Sequence, residues 1–198
     1  MQTALPVRLG LRENLNGLVA SRGGRVVLAL SANALLAVSA HISLPLFFTP
    51  VPLTLQTFAV VLTGLLLGPS LAFSAVLLYL AEGAMGVPVF SPAGPGGAAQ
   101  LFGIAGGFLM SYPLAAAAAG FMARAFGSRF SRFGVALIAG TSATLITFLI
   151  GGFWIAHLSH TTWQTTVAIG VGPFVPGEII KIIAAAGAYG SLRRYVHD

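Results

Sequence analysis

The chain has no cysteine and only one lysine among its 198 residues. Without cysteine there is no disulfide, no thiolate metal site and no cysteine nucleophile. Charge of either sign is scarce. Charged residues make up 7% of the chain, against roughly 25% in soluble domains. Hydrophobic residues make up 57%, and mean hydropathy is +0.92. So few charges cannot cover a water-soluble surface. Composition therefore assigns the chain to a lipid bilayer, as one compact all-α bundle of 20.3 kDa. The net charge of +6 does not point to nucleic acid, because the basic residues flank apolar runs, where they set topology. The glycine-rich pieces "GIAGGF" and "GPGG" lack the GxxxxGK[ST] pattern of a phosphate loop.

An apolar helix needs about 20 residues to cross a bilayer core. Residues 1–25 read as a cytoplasmic lead, with a partial surface helix around Val7 to Val19, and not as a cleaved signal peptide. The first span is expected from about Val26 to Leu46, and the second from Leu53 to the "GPS" turn at Gly68 and Pro69. The third runs from about Ser70 to Gly86. The fourth runs from Ala98 to just before Arg124, with Pro113 as a kink point. The fifth runs from Gly134 to Leu158 and the sixth from Pro176 to Tyr189. Six spans put nine of the ten basic residues on one side: Arg8, Arg12, Arg22, Arg25, Arg124, Arg129, Arg132, Arg193 and Arg194. That side is then the cytoplasm, and it holds both termini. Five or seven spans would divide the arginines between the two sides.

Ionisable groups inside a span cost roughly 2.5–3.5 kcal/mol each on insertion scales. There are three: Glu82, Glu178 and Lys181. Under the six-span topology all three lie in the outer half. Thr54, Gln56 and Thr57 fall at the same depth, and Ser91 and Gln100 flank the second outer loop. The pattern predicts a polar pocket near the outer face, with Phe47, Phe48 and Phe90 supplying apolar surface. Glu178 and Lys181, three residues apart, share one helix face. A carboxylate accepts N–H bonds and an ammonium pairs with an anion, which suits a ligand carrying amide-like N–H groups and a carboxylate.

Plainer readings stand beside these. Glu178 and Lys181 can simply neutralise each other in the bundle. Glu82 can cap a helix or snorkel outward. Gln56 and Gln100 can be interhelical hydrogen-bond glue, and Gly103, Gly106 and Gly107 can serve close helix packing. Trp163, with Trp154 nearby, reads as an outer aromatic anchor. His157 and His160 have no third ligand near them, so they do not make a metal site.

Three blocks carry a family resemblance: "VPLTLQT" (Val51 to Thr57) with the sequence following it as far as Gly97, "GGFLMSYPLAA", and "PFVPGEIIK". Over about Leu35 to Ala184 the chain is similar to the BioY family, the biotin-specific substrate-binding subunits of energy-coupling factor (ECF) vitamin transporters. The resemblance implies a six-helix bundle in the cytoplasmic membrane and an outward biotin pocket covered by the loop after the first helix, here "LPLFFTPVP". It also implies that Glu178 and Lys181 contact ligand. Many relatives have aspartate at the position of Glu178, and glutamate reaches one methylene further. The implied partners are a transmembrane coupling subunit and two cytoplasmic ATPase subunits, with no cofactor. The Ala-x-x-x-Ala docking pattern of related subunits is absent from "LALSANALLAVSA", whose alanines run largely at three-residue spacing. The expected activity is biotin capture and inward delivery, without catalysis. The alternatives are a subunit for a different vitamin and an intramembrane enzyme, for which no nucleophile–base pair is evident.

Overall fold

The computed structural model describes residues 21–197 except Phe48 and Pro50. The expected surface helix over Val7 to Val19, and Phe48 as a pocket residue, lie outside the described residues. Helix α1 (Arg22–His41) starts on a Ser21 cap whose Oγ accepts the Gly24 N–H at 2.9 Å. It stops five residues before the expected Leu46. Ser43–Leu44 (β1) and Leu53–Thr54 (β2) instead pair as a two-residue antiparallel ladder, Ser43 opposite Thr54. The ladder satisfies backbone groups that the prolines between the strands deny to a helix. The second helix accordingly begins later than Leu53, as α2 (Gln56–Leu67).

Gly68, at φ 76°, makes the turn into α3 (Pro69–Ala84), and Pro69 sits where a missing N–H is harmless. The expected fourth span is broken in two. A short α4 (Gly97–Phe102) ends at Gly103, which is extended, and α5 (Gly106–Phe126) restarts three residues on. A side chain at Gly106 would collide with the Leu101 carbonyl, so this corner needs glycine. Helix α6 (Arg132–Ser159) is capped by Ser131 and ends at His160 in the left-handed region. The last span is longer than expected and irregular at its start. It passes through α7 (Trp163–Thr166), a π-helical turn (Val167–Val171) and a 3₁₀ turn (Gly172–Phe174) before α8 (Val175–His197).

Helix α5 is central, packed on α2, α3 and α6, while α8 closes against α6 and α2, and α1 against α2 and α3. Among the described residues, four stretches are long and apolar enough to cross a membrane: Arg22–His41, Gly106–Phe126, Arg132–Ser159 and Trp163–Leu192. Helices α2 and α3 are shorter, at 12 and 16 residues. The outside of the bundle is itself apolar, with Leu77, Leu114, Phe121, Leu149 and Ile180 all exposed. That is the surface a bilayer requires and one that a soluble protein avoids.

Where α2 crosses α5 the backbones touch. A Cβ built on Gly64 would lie 2.7 Å from Ala119 Cβ, and one on Gly120 would lie 2.6 Å from Pro69 N. Small residues that admit close backbone approach are the usual means of packing helices in lipid. Gly64→Ala is expected to lower stability by about 1–3 kcal/mol, the usual range for overpacking. Gly187→Ala, where an added Cβ meets nothing within 4 Å, should instead raise it by up to about 1 kcal/mol through helix propensity. Thermal unfolding of the two variants in detergent checks both.

Candidate functional site

At the end of the bundle that carries the β1–β2 ladder, the helices enclose a cavity of about 220 Å³. Its polar lining comes from elements distant in sequence: Thr54, Gln56 and Thr57 around the start of α2, Ser91 in the loop after α3, Gln100 on α4, and Glu178 and Lys181 on α8. Phe108 and Tyr112 of α5, Phe148 of α6 and Phe174 of the 3₁₀ turn add apolar and aromatic surface.

The pair on α8 is both buried and cavity-lining. Lys181 Nζ forms an ion pair with Glu178 Oε1. Thr57, reaching across from α2, completes a triangle. Its hydroxyl donates to Glu178 Oε1 at 2.8 Å and accepts from Lys181 Nζ at 3.0 Å. Glu178 and Lys181 are each, as whole residues, less than a tenth exposed. The two readings left open by spacing are therefore compatible, because the charges neutralise each other in the wall of a cavity. An ammonium has three protons. Two are used within the triangle, which leaves one without a protein acceptor among the described residues. Both bonds accepted by Glu178 fall on Oε1, so Oε2 has no protein donor among the described residues.

The two glutamines line the cavity and also hold its walls. Gln56 Nε2 donates to Tyr79 OH at 2.8 Å, and its Oε1 accepts from Thr54 Oγ1 at 3.2 Å. Gln100 Nε2 donates to the Ser91 carbonyl at 3.2 Å, and its Oε1 accepts from Gly96 N at 3.1 Å. The Ser91 hydroxyl accepts from Ala93 N at 3.4 Å. Trp154 is more than an interfacial anchor. Its indole N–H donates to the Gly103 carbonyl at 2.8 Å and so ties α6 to the break between α4 and α5. Trp163 stacks on Phe153, with ring centroids 4.8 Å apart.

Three expected wall residues lie elsewhere. Glu82 has the right depth but faces α1, where its Oε2 accepts from Asn33 Nδ2 at 3.1 Å. Phe90 is buried behind the wall, edge-on to Tyr79 at 5.5 Å and seated on Gly83. Phe47 is fully exposed. The apolar and aromatic surface comes instead from residues that sequence reading did not single out: Phe108, Leu109, Tyr112, Phe148 and Phe174, with Thr147 beside them. Only Thr147, a hydroxyl in "LITFLIGG", and Tyr112, in "SYPLAA", carry a polar signal that could have marked them.

Comparison with known proteins gives a consistent result. A family model described as "BioY family" matches residues 13–198. The chain is 37% identical over 152 residues to a probable biotin transporter BioY of Pyrococcus horikoshii, covering 77% of this chain and 85% of that one. It is 37% identical over 153 residues to a biotin transporter BioY of Thermotoga maritima, covering 77% and 86%. Among solved structures it is similar to the S-component for biotin from an ECF-type ABC transporter. That match has a TM-score of 0.78 and 25% identity, and covers 86% of this chain and 90% of the other.

The buried triangle makes a stability prediction that is independent of any ligand. Lys181→Met leaves Glu178 without its counter-charge and is expected to destabilise by about 3–5 kcal/mol. Adding Glu178→Gln removes the stranded charge, so the double variant should unfold closer to wild type than the single. Parallel unfolding curves in detergent decide it.

Proposed function

The chain belongs to the BioY family, and we propose that it is the biotin-binding membrane subunit of an ECF-type transporter. The observation that carries this reading is the Thr57–Glu178–Lys181 triangle set in a cavity with aromatic walls. Biotin combines an apolar body with a polar ureido ring and a carboxylate. Glu178 Oε2 accepts from a ureido N–H, and the remaining proton of Lys181 goes to a ligand oxygen. Ser91 has a hydroxyl proton to give. Gln56 and Gln100 hold the walls at contact distance. Thr57, Phe108, Tyr112 and Phe174 join the contact set, while Glu82 and Phe90 leave it for supporting roles. The ligand is bound and moved unchanged.

In this reading α1, α2, α3, α5, α6 and α8 cross the cytoplasmic membrane, six passes in all, with both termini in the cytoplasm. Arg22 and Arg25 open α1, and Arg124, Arg129 and Arg132 lie at or near the α5–α6 turn. The Arg124 guanidinium lies beside Gly68, which brings the α2–α3 turn to the same end of the bundle. These positions support a cytoplasmic face opposite the cavity. The chain carries no nucleotide-binding pattern. Energy for inward delivery therefore comes from partners, a transmembrane coupling subunit and two cytoplasmic ATPase subunits.

Purified protein is expected to bind biotin and, in a thermal-shift panel of vitamins, to be stabilised by biotin alone. Glu178→Ala and Lys181→Ala should each weaken binding by at least about 30-fold, the lower bound for stranding one member of a buried charge pair. Unfolding temperatures measured alongside separate lost contact from lost fold. Unchanged affinity in both folded variants would overturn the assigned roles, and stabilisation by another vitamin in place of biotin would overturn the ligand.

A further inference from the structure

Tyr79 was not a sequence candidate and does not line the cavity, yet it is completely buried on α3. Its hydroxyl uses both hydrogen-bonding capacities. It accepts from Gln56 Nε2 at 2.8 Å and donates to the Val89 carbonyl at 2.8 Å. Gln56 in turn accepts from Thr54 at the end of β2. A continuous chain of hydrogen bonds thus runs from the ladder, through the first turn of α2 and across α3, to the loop after α3. Each end leads directly into the cavity wall. Thr57, a corner of the buried triangle, follows Gln56, and Ser91 lies two residues beyond Val89. Phe90, between them, packs edge-on to the Tyr79 ring and seats on Gly83 of the same helix.

We infer that Tyr79 is a positioning residue for the ligand cavity: without lining it, the Tyr79 hydroxyl holds the Thr54–Gln56–Thr57 wall and the Ser91 wall in fixed register. A buried tyrosine usually finds a hydrogen-bond partner, so satisfaction alone would be unremarkable for a core residue. What distinguishes Tyr79 is that one partner, Gln56, lines the cavity, and the other, Val89, lies two residues before Ser91 in a separate wall. Where ligand contact relies on such walls, pre-organising them contributes to affinity.

The test uses the full chain in detergent, as wild type, Tyr79→Phe and Val76→Ala. Val76 is also fully buried on α3, one turn before Tyr79, and has no place in the hydrogen-bond chain. Tyr79→Phe keeps the ring and removes only the hydroxyl. It should weaken biotin binding by about tenfold, or about 1.4 kcal/mol, mainly through faster dissociation. In ligand-free protein it should speed amide hydrogen exchange at both residues 53–57 and residues 87–91. Val76→Ala should lower the unfolding temperature and do neither. If Tyr79→Phe does not fold, Gln56→Met cuts the chain from the other side. It should raise exchange at residues 87–91, with which Gln56 has no hydrogen bond. Wild-type affinity and exchange in Tyr79→Phe, or equal loop loosening in Val76→Ala, overturns the positioning role. The affinity arm rests on the biotin-binding reading. A wild type that binds no biotin overturns that reading and leaves the exchange comparison to decide Tyr79.

Discussion

A carboxylate and an ammonium stay buried among apolar helices only if each is answered within hydrogen-bonding distance. That constraint organises one end of this molecule. Glu178 and Lys181 answer each other from one face of α8, but a pair on one helix leaves several lone pairs and protons open. Thr57 supplies the third corner from α2. For Thr57 to reach, α2 must begin at Gln56 and must lie against α8. The β1–β2 ladder fixes where α2 starts, and Leu53 packs beneath Gly177 at the head of α8. The triangle is thus a fastening between helices as well as a polar cavity surface, so the same residues bear on folding and on the proposed recognition.

The cavity forms where backbone regularity fails. Helices α4 and α5 part at Gly103–Ala105, and the last span is π-helical and then 3₁₀ just before Glu178. Non-helical backbone at membrane depth is tolerated only where protein or a cavity satisfies it. Here the Gly103 carbonyl is answered by Trp154, and Phe174, at the end of the irregular passage, turns into the cavity. Short interruptions beside a binding site also recur in membrane transporters. At the α2–α5 crossing, by contrast, Gly64 and Gly120 bring unbroken helices into backbone contact.

The sequence made some of this legible and hid the rest for a physical reason. Charge in an apolar run is conspicuous, so Glu178, Lys181 and Glu82 could be found, and arginine placement gave them one expected depth. Depth is one coordinate, however, and azimuth around the helix is another. Glu82 lies at a suitable height and still faces Asn33 of α1. Apolar residues are harder still. In a soluble protein the hydrophobic face of a helix points inward. In lipid, apolar side chains point both ways: Phe121 and Phe153 are exposed while Phe108 and Phe174 are buried at the cavity. Periodicity cannot separate the two sets, which is why the aromatic wall was missed and Phe47 and Phe90 were placed in it. Gly103 and Gly106 were visible as glycines. Reading them as packing residues overlooked that a pair of glycines flanking two residues can also mark a helix break.

The two ends of the bundle therefore differ in what holds them. The crossing at Gly64 and Gly120 is joined by direct backbone packing, with no room for an added Cβ. The walls at the cavity end are joined largely through side chains: Thr57 to α8, Gln56 and Tyr79 to the loop after α3, Trp154 to the α4–α5 break. Each of those links is a single hydrogen bond or a small set of them, with net contributions near 1 kcal/mol apiece between neutral groups and about 1.5–3 kcal/mol where Thr57 meets a charge. A ligand seated between the walls adds apolar burial and polar contacts among elements that are otherwise so linked. Its binding free energy accordingly adds to the links among those walls.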